Sequence, residues 1–143
     1  MDCGPTCLRM IAKYYGRSFS LQQLRDASGY NRDGVSFLGI SEAAEGIGFN
    51  TLGVKITLNQ LLQEAPLPCI VHWQQNHFVV VTPPPKNFFR RIFLSNQAQN
   101  IVSVADPGKG LRTLSHEEFV KHWASSQENG QPVGLVLLLD PTP

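Results

Sequence analysis

The apolar residues of this chain change their period at Pro66, and that change constrains the fold more than any other feature. Before it, apolar side chains recur at helical spacing. Leu8, Ile11 and Tyr15 form one stripe closed by Gly16, and Leu21 and Leu24 form a second. Phe37, Ile40, Ala44 and Ile47 form a third, preceded by Ser36 and ended by Gly46 or Gly48. Ser20 with Gln23, and Thr57 with Gln60, have the spacing of a capping box, and Leu61 and Leu62 follow the second box. After Pro66 the apolar runs are short, β-rich and bounded by Pro, Gly, Asn or Gln, at residues 67–73, 77–82, 90–94, 101–105 and 133–139. One helix interrupts them, capped at Ser115, with Phe119 and Trp123 as its apolar pair. Pro83-Pro84-Pro85 can only be loop or turn. Helices first and hairpin-linked strands afterwards predict an α+β fold, with N-terminal helices packed on an antiparallel sheet. A parallel sheet would need strands and helices to alternate.

The length of 143 residues suits a single domain spanning 1–143, and no linker, repeat or low-complexity tract divides it. Hydrophobic residues make up 42% and charged residues 16%, which is the balance of a chain with a core and not of a disordered one. The formal net charge of +1 offers no field for nucleic acid, an anionic membrane or a highly charged substrate. The longest wholly apolar stretch without glycine, Leu135 to Leu139, is far short of the roughly 18 residues that span a bilayer. Met1-Asp2-Cys3-Gly4-Pro5 lacks the basic start and apolar stretch of a signal peptide. Cys3, Cys7 and Cys69 are an odd number and a poor disulfide framework, which fits a cytoplasmic setting.

Cys3 is the first candidate for chemistry. It stands at a helix start, with Gly4 and Pro5 in the opening turn, where N–H groups and the macrodipole favour an anion. A thiol placed there has its nucleophilic thiolate form stabilised. Cys7, one turn deeper, and Cys69, in an apolar strand, read as core residues. A nucleophilic cysteine needs a base. Among His72, His77, His116 and His122, His77 is best placed, because it opens a strand at an edge that can border a cleft. His116 and His122 read as surface residues of the late helix. A base needs an acceptor to fix its tautomer, and Asp106, which closes a strand ahead of Pro107-Gly108, is the candidate. Asp106 also has the plain reading of a turn-forming residue, and Asp33, Asn76 and Asp140 are weaker rivals.

Two thiols and two imidazoles (Cys3, Cys7, His72, His77) make a formal zinc set. The spacing argues against it. Cys-x3-Cys at a helix start is not the usual Cys-x2-Cys knuckle, and two histidines five apart on one continuous strand would face opposite sides.

The segments Asp2-Cys3-Gly4-Pro5-Thr6-Cys7-Leu8-Arg9-Met10, His77-Phe78-Val79-Val80-Val81 and Asp106-Pro107-Gly108-Lys109-Gly110 together resemble the cysteine peptidase domain of bacteriocin-processing ABC transporters. The resemblance covers nearly the whole chain in the family's order. It implies a papain-like fold and cleavage of a precursor peptide after the Gly-Gly pair that ends its leader. By matching positions it implies Cys3 as nucleophile, His77 as general base and acid, and Asp106 as orienter of His77. It implies no metal or organic cofactor in this domain, since ATP would bind a separate downstream domain. The implied partners are a precursor with a double-glycine leader and the transmembrane and ATPase domains of the same transporter, with no nucleic acid and no direct membrane insertion of this domain. The implied location is the cytoplasmic face of the bacterial membrane. The stretch Leu137-Leu138-Leu139-Asp140-Pro141-Thr142-Pro143 is similar to the family's exit toward the membrane region.

One position departs from the family's pattern. Its oxyanion-hole glutamine lies several residues before the nucleophile, and here only Met1 and Asp2 precede Cys3. The expectation is a chain truncated just before the nucleophile, with activity impaired by the loss. Gln74 and Gln75 are weak substitutes by their nearness to His77. A domain that docks the leader without cutting it is the alternative.

Overall fold

The computed structural model describes residues 3–29, 36–74, 77–83 and 101–143. Its elements run α1 (Cys3–Tyr14), α2 (Leu21–Ala27), α3 (Phe37–Gly46), β1 (Phe49–Thr57), α4 (Leu58–Gln63), β2 (Cys69–Trp73), β3 (His77–Val81), β4 (Ile101–Asp106), β5 (Gly110–Ser115), α5 (His116–Trp123), β6 (Ser126–Glu128) and β7 (Gln131–Pro141). The strands form one sheet in the order β1-β7-β2-β3-β4-β5, with β6 paired to β7. Every pairing is antiparallel. This is the α+β architecture that the change of period predicts.

Local chemistry explains the helix starts. Ser20 and Thr57 each accept from the N–H three residues on, and the Gln23 and Gln60 side chains return the bond. Ser36 and Ser115 cap α3 and α5 with single bonds to Gly39 and Glu118. Gly16, just past α1, takes φ +78°, a conformation that costs glycine little.

Both faces of the sheet are covered, so β2 and β3 are apolar almost throughout and do not alternate. On one face α1, α2 and α3 pack Leu8, Ile11, Leu24, Ile40 and Ala44 against Ile70, Phe78, Val80 and Leu137. On the other, α4 and α5 pack Leu61, Phe119 and Trp123 against Val71, Trp73, Val79, Val104 and Val136.

The structure adds strands to those read from the sequence. β1 falls inside the half that reads as helical. It is an edge strand with a mixed burial pattern, so it lacks the clean alternation that marks a half-buried strand. β5 exposes Leu111 and Thr113 and buries only Leu114, which leaves no apolar run to read. The order of elements is therefore not strictly helices first. The strand expected at 90–94, and Pro84 and Pro85, lie outside the described residues.

Candidate active site

α1 is held to β3 by the Cys7 thiol, which donates to the Phe78 carbonyl at 3.3 Å. Further along, Met10 and Tyr14 share a groove with Val80 and Thr82. The helix and the strand therefore run in the same direction. One turn back from Cys7, Cys3 arrives at the end of β3 that begins with His77. Cys3 is half-buried and packs against the α1-side core, while Cys7 is fully buried.

The register of the sheet brings His77 and Asp106 together. Val80 pairs with Ala105, so continuing by one residue sets Val79 against Asp106 and places His77 diagonally across, on the same face. The side chains close that diagonal, with His77 Nε2 at 2.9 Å from Asp106 Oδ1. A carboxylate only accepts, so Nε2–H donates, and Nδ1 is the ring nitrogen left to exchange a proton.

Asp106 is buried, and burial alone would push its carboxyl up. The hydrogen bond from His77, the Gly108 N–H at 2.8 Å and the charges of His77 and Lys109 outweigh that, and hold the carboxyl below its ordinary value. Asp106 also forms its turn, since the Oδ1 that meets His77 accepts from the Gly108 N–H. The Cys7 thiol is raised well above its ordinary value by burial first, then by the charges of Cys3 and Asp106. Burial alone pushes the Cys69 thiol up to about 12. Both buried thiols are poor nucleophiles for that reason.

The other candidates fall elsewhere. His72 lies on β2 and His77 on β3, so the two histidines are not on one continuous strand. His72 stands opposite Phe78, its ring 5.2 Å away. Among the described residues no three His, Cys, Asp or Glu side chains gather as metal ligands would. His122 is exposed and stacks on Trp73 at 5.4 Å, whereas His116 is half-buried. Asp140 pairs with Asn50 at the β1 edge. Gln74 donates its side-chain Nε2 to the Lys121 carbonyl at 2.7 Å, so it is engaged by α5 and not by the site. Asp33, Gln75 and Asn76 lie outside the described residues.

An apolar groove of about 630 Å³ runs between α1 and strands β3 to β5, with Met10, Tyr14, Pro68, Val80, Pro83 and Leu111 among its walls, and it reaches Ala105, the neighbour of Asp106. Tyr14 and Leu111 are 59% and 80% exposed, unusual for such large apolar groups. Sequence reading misses this surface. Met10 and Tyr14 have the i, i+4 spacing that would put them on one helix face, but Leu111 carries no such signal. Among the described residues no helix is long and apolar enough to cross a membrane.

Residues 1–127 match the model of the peptidase C39 family. The chain is 34% identical over its full length to a lactococcin transport/processing ATP-binding protein (LcnC-like) of Lactococcus lactis, of which it covers 18%. It is 30% identical, over 85% of its length, to the colicin V secretion/processing ATP-binding protein of Escherichia coli, of which it covers 16%. It therefore spans under a fifth of these relatives. Among solved structures it is similar to a double glycine motif protease from an AMS/PCAT transporter in complex with the leader peptide. That match has a TM-score of 0.78 at 29% identity, and covers 99% of this chain and 85% of the other. The peptidase domain of Streptococcus ComA, a bifunctional ABC transporter, superimposes with a TM-score of 0.74 at 28% identity, covering 99% and 92%.

Proposed function

The chain belongs to the peptidase C39 family, and on that premise we propose that it cuts a precursor peptide after the Gly-Gly pair closing its leader, with Cys3 as nucleophile, His77 as base and acid, and Asp106 as the residue that orients His77. The observation that carries this reading is the 2.9 Å contact between His77 Nε2 and Asp106 at the end of the sheet where α1 begins. A carboxylate on Nε2 fixes the tautomer and leaves Nδ1 to take the thiol proton.

In the proposed reaction the Cys3 thiolate attacks the carbonyl of the second leader glycine. The C–N bond breaks as His77 returns its proton to the leaving amine, and a thioester remains. Water activated by His77 then releases the leader and regenerates the thiol. Cys3 lies in the first described turn of α1 and is half-buried, while Cys7 is buried, which supports Cys3 over Cys7 as the nucleophile. Gln74 is not the oxyanion donor, since its amide is engaged by Lys121. Removal of one such donor typically lowers a rate by about 10²–10³.

The groove between α1 and strands β3 to β5 supports docking of the leader. It is apolar, open and continuous with α1, and it suits one face of an amphipathic peptide helix. Export by an ABC transporter, with membrane-spanning and ATPase parts beyond this chain, belongs to the same proposal and is supported by the relatives' transport and processing roles.

The test is a synthetic double-glycine precursor offered to the wild-type chain, Cys3→Ala and Cys7→Ala. Cys3→Ala abolishes cleavage, Cys7→Ala keeps most of it, and a Gly→Ala change in the peptide stops cutting by the wild type. Equal loss from both cysteine variants, with folding intact, overturns the assignment. Binding of the peptide by the wild type without cleavage favours a docking domain instead.

A further inference from the structure

His77 opens β3, and the sheet's main-chain ladder holds that end from the β2 side alone among the described residues. The β2–β3 ladder finishes at the Trp73–His77 pair. The pairing of β3 with β4 involves Val80 and Val81 and does not reach back to His77. The hairpin end that carries the proposed base is instead tied to α5. Gln74 donates twice to the C-terminal turn of that helix. Its main-chain N–H meets the His122 carbonyl at 2.9 Å and its side-chain Nε2 meets the Lys121 carbonyl at 2.7 Å. These carbonyls belong to the set that no intrahelical N–H can reach. The bond from Ala124 N–H to Val120 is the last of the helix's own series. Trp73, next to Gln74 and opposite His77, lies between the His122 ring at 5.4 Å and the Phe119 ring at 5.3 Å.

α5 is itself firmly seated. Phe119 and Trp123 are fully buried, and the Trp123 indole N–H donates to the Leu135 carbonyl at 3.2 Å on β7. A Cβ on Gly134 would collide with the Trp123 ring, so the ring lies directly on the β7 backbone.

We propose that Gln74 is a positioning residue for His77: by clamping the β2–β3 hairpin to the C-terminal carbonyls of α5, it sets the imidazole at the reach that Cys3 requires. The inference rests on the reading of Cys3 and His77 as nucleophile and base. Gln74 touches neither the thiol nor the ring, and it acts through the backbone that delivers the ring. Small errors in that delivery are costly, because displacing a catalytic group by about 1 Å can reduce a rate on the order of 10²-fold.

The test is Gln74→Leu, which keeps the bulk and the main-chain bond and removes the side-chain donor. Gln74 is exposed, so the variant folds. Three quantities are compared with the wild type: kcat and KM on a double-glycine precursor, the alkylation rate of Cys3 by iodoacetamide at about pH 6, and the thermal midpoint. The proposal expects kcat to fall roughly tenfold with KM unchanged, and Cys3 alkylation to slow by a similar factor. Wild-type kcat and wild-type alkylation, with only a lower thermal midpoint, make Gln74 a helix cap and overturn the proposal. A wild-type chain whose Cys3 alkylates no faster than it does in the unfolded chain sinks the underlying reading instead, so the two failures are distinct.

Discussion

The two layers covering the sheet differ in what they bury. On the α1 side the helices bury aliphatic and small side chains, Leu8, Ile11, Ala12, Ile40, Ala43 and Ala44, against strands that bring Phe49 and Phe78, with one buried thiol bonded to the strand beneath it. The α5 side is aromatic at its centre, where Trp73, Phe119 and Trp123 contact one another in sequence. Small side chains let α1 lie close to β3, and a close approach is what brings a helix start to a strand start. Large rings make α5 an anchor. By strand alternation His77 and Asp106 belong to the α5 face with Val79 and Val104, while Cys3 belongs to the α1 layer. The candidate site is thus assembled from both layers, past the end of the strands.

The sharpest way to break this comparison is to sever the site and leave both layers alone. Asp106→Asn keeps the shape and removes the charge that orders His77, and it lowers kcat by roughly 10²–10⁴ with an unchanged circular dichroism spectrum. A variant that retains full kcat shows that Asp106 serves only its turn. Within the layers, Trp123→Ala removes the largest fully buried side chain of the α5 face and costs about 3–5 kcal/mol in chemical denaturation. Leu8→Ala on the α1 face costs about 2–5 kcal/mol by the same measurement. If Leu8→Ala is the more damaging of the two, the aromatic layer is not the anchor.

A smaller effect follows from pH. The Asp106 carboxyl is held below its ordinary value, so its ionised form adds stability that is complete above the ordinary carboxylate value of about 4. That contribution is lost as pH falls from there through the lowered value. Wild type should therefore lose stability relative to Asp106→Asn only below about pH 4, as read from denaturation midpoints across a pH series. A difference that changes between about pH 5 and 7 instead assigns the effect to another group. Smallest is Thr57→Ala, which deletes the capping box of α4 far from the site. It costs about 1 kcal/mol and leaves kcat unchanged.

Much of this was legible in the residues, and for a clear reason. Helix starts are local events. Ser20, Ser36, Thr57 and Ser115 satisfy N–H groups three residues away, so short-range spacing reveals them. Apolar runs such as Cys69–Trp73 and His77–Val81 announce strands buried on both faces. β1 and β5 were not legible, because an edge strand carries little apolar pattern of its own and is made a strand by its neighbour. The groove at Met10, Tyr14 and Leu111 joins a helix face to a strand that the pattern does not reveal.

The amino-acid order alone determined the class of fold, the helix that carries Cys3 and the chemistry available in one thiol, one imidazole and one carboxylate. It could not decide which histidine meets which acid, since that depends on how β3 and β4 align over a gap no local rule spans. The tertiary structure decided it through the Val80–Ala105 register, which places His77 and Asp106 on one diagonal. It likewise decided that Gln74, a neighbour of His77 in sequence, turns to α5 and not to the site. Two carbonyls at the end of α5 stand within its reach, and the Trp73 ring beside it stacks on His122 of the same helix.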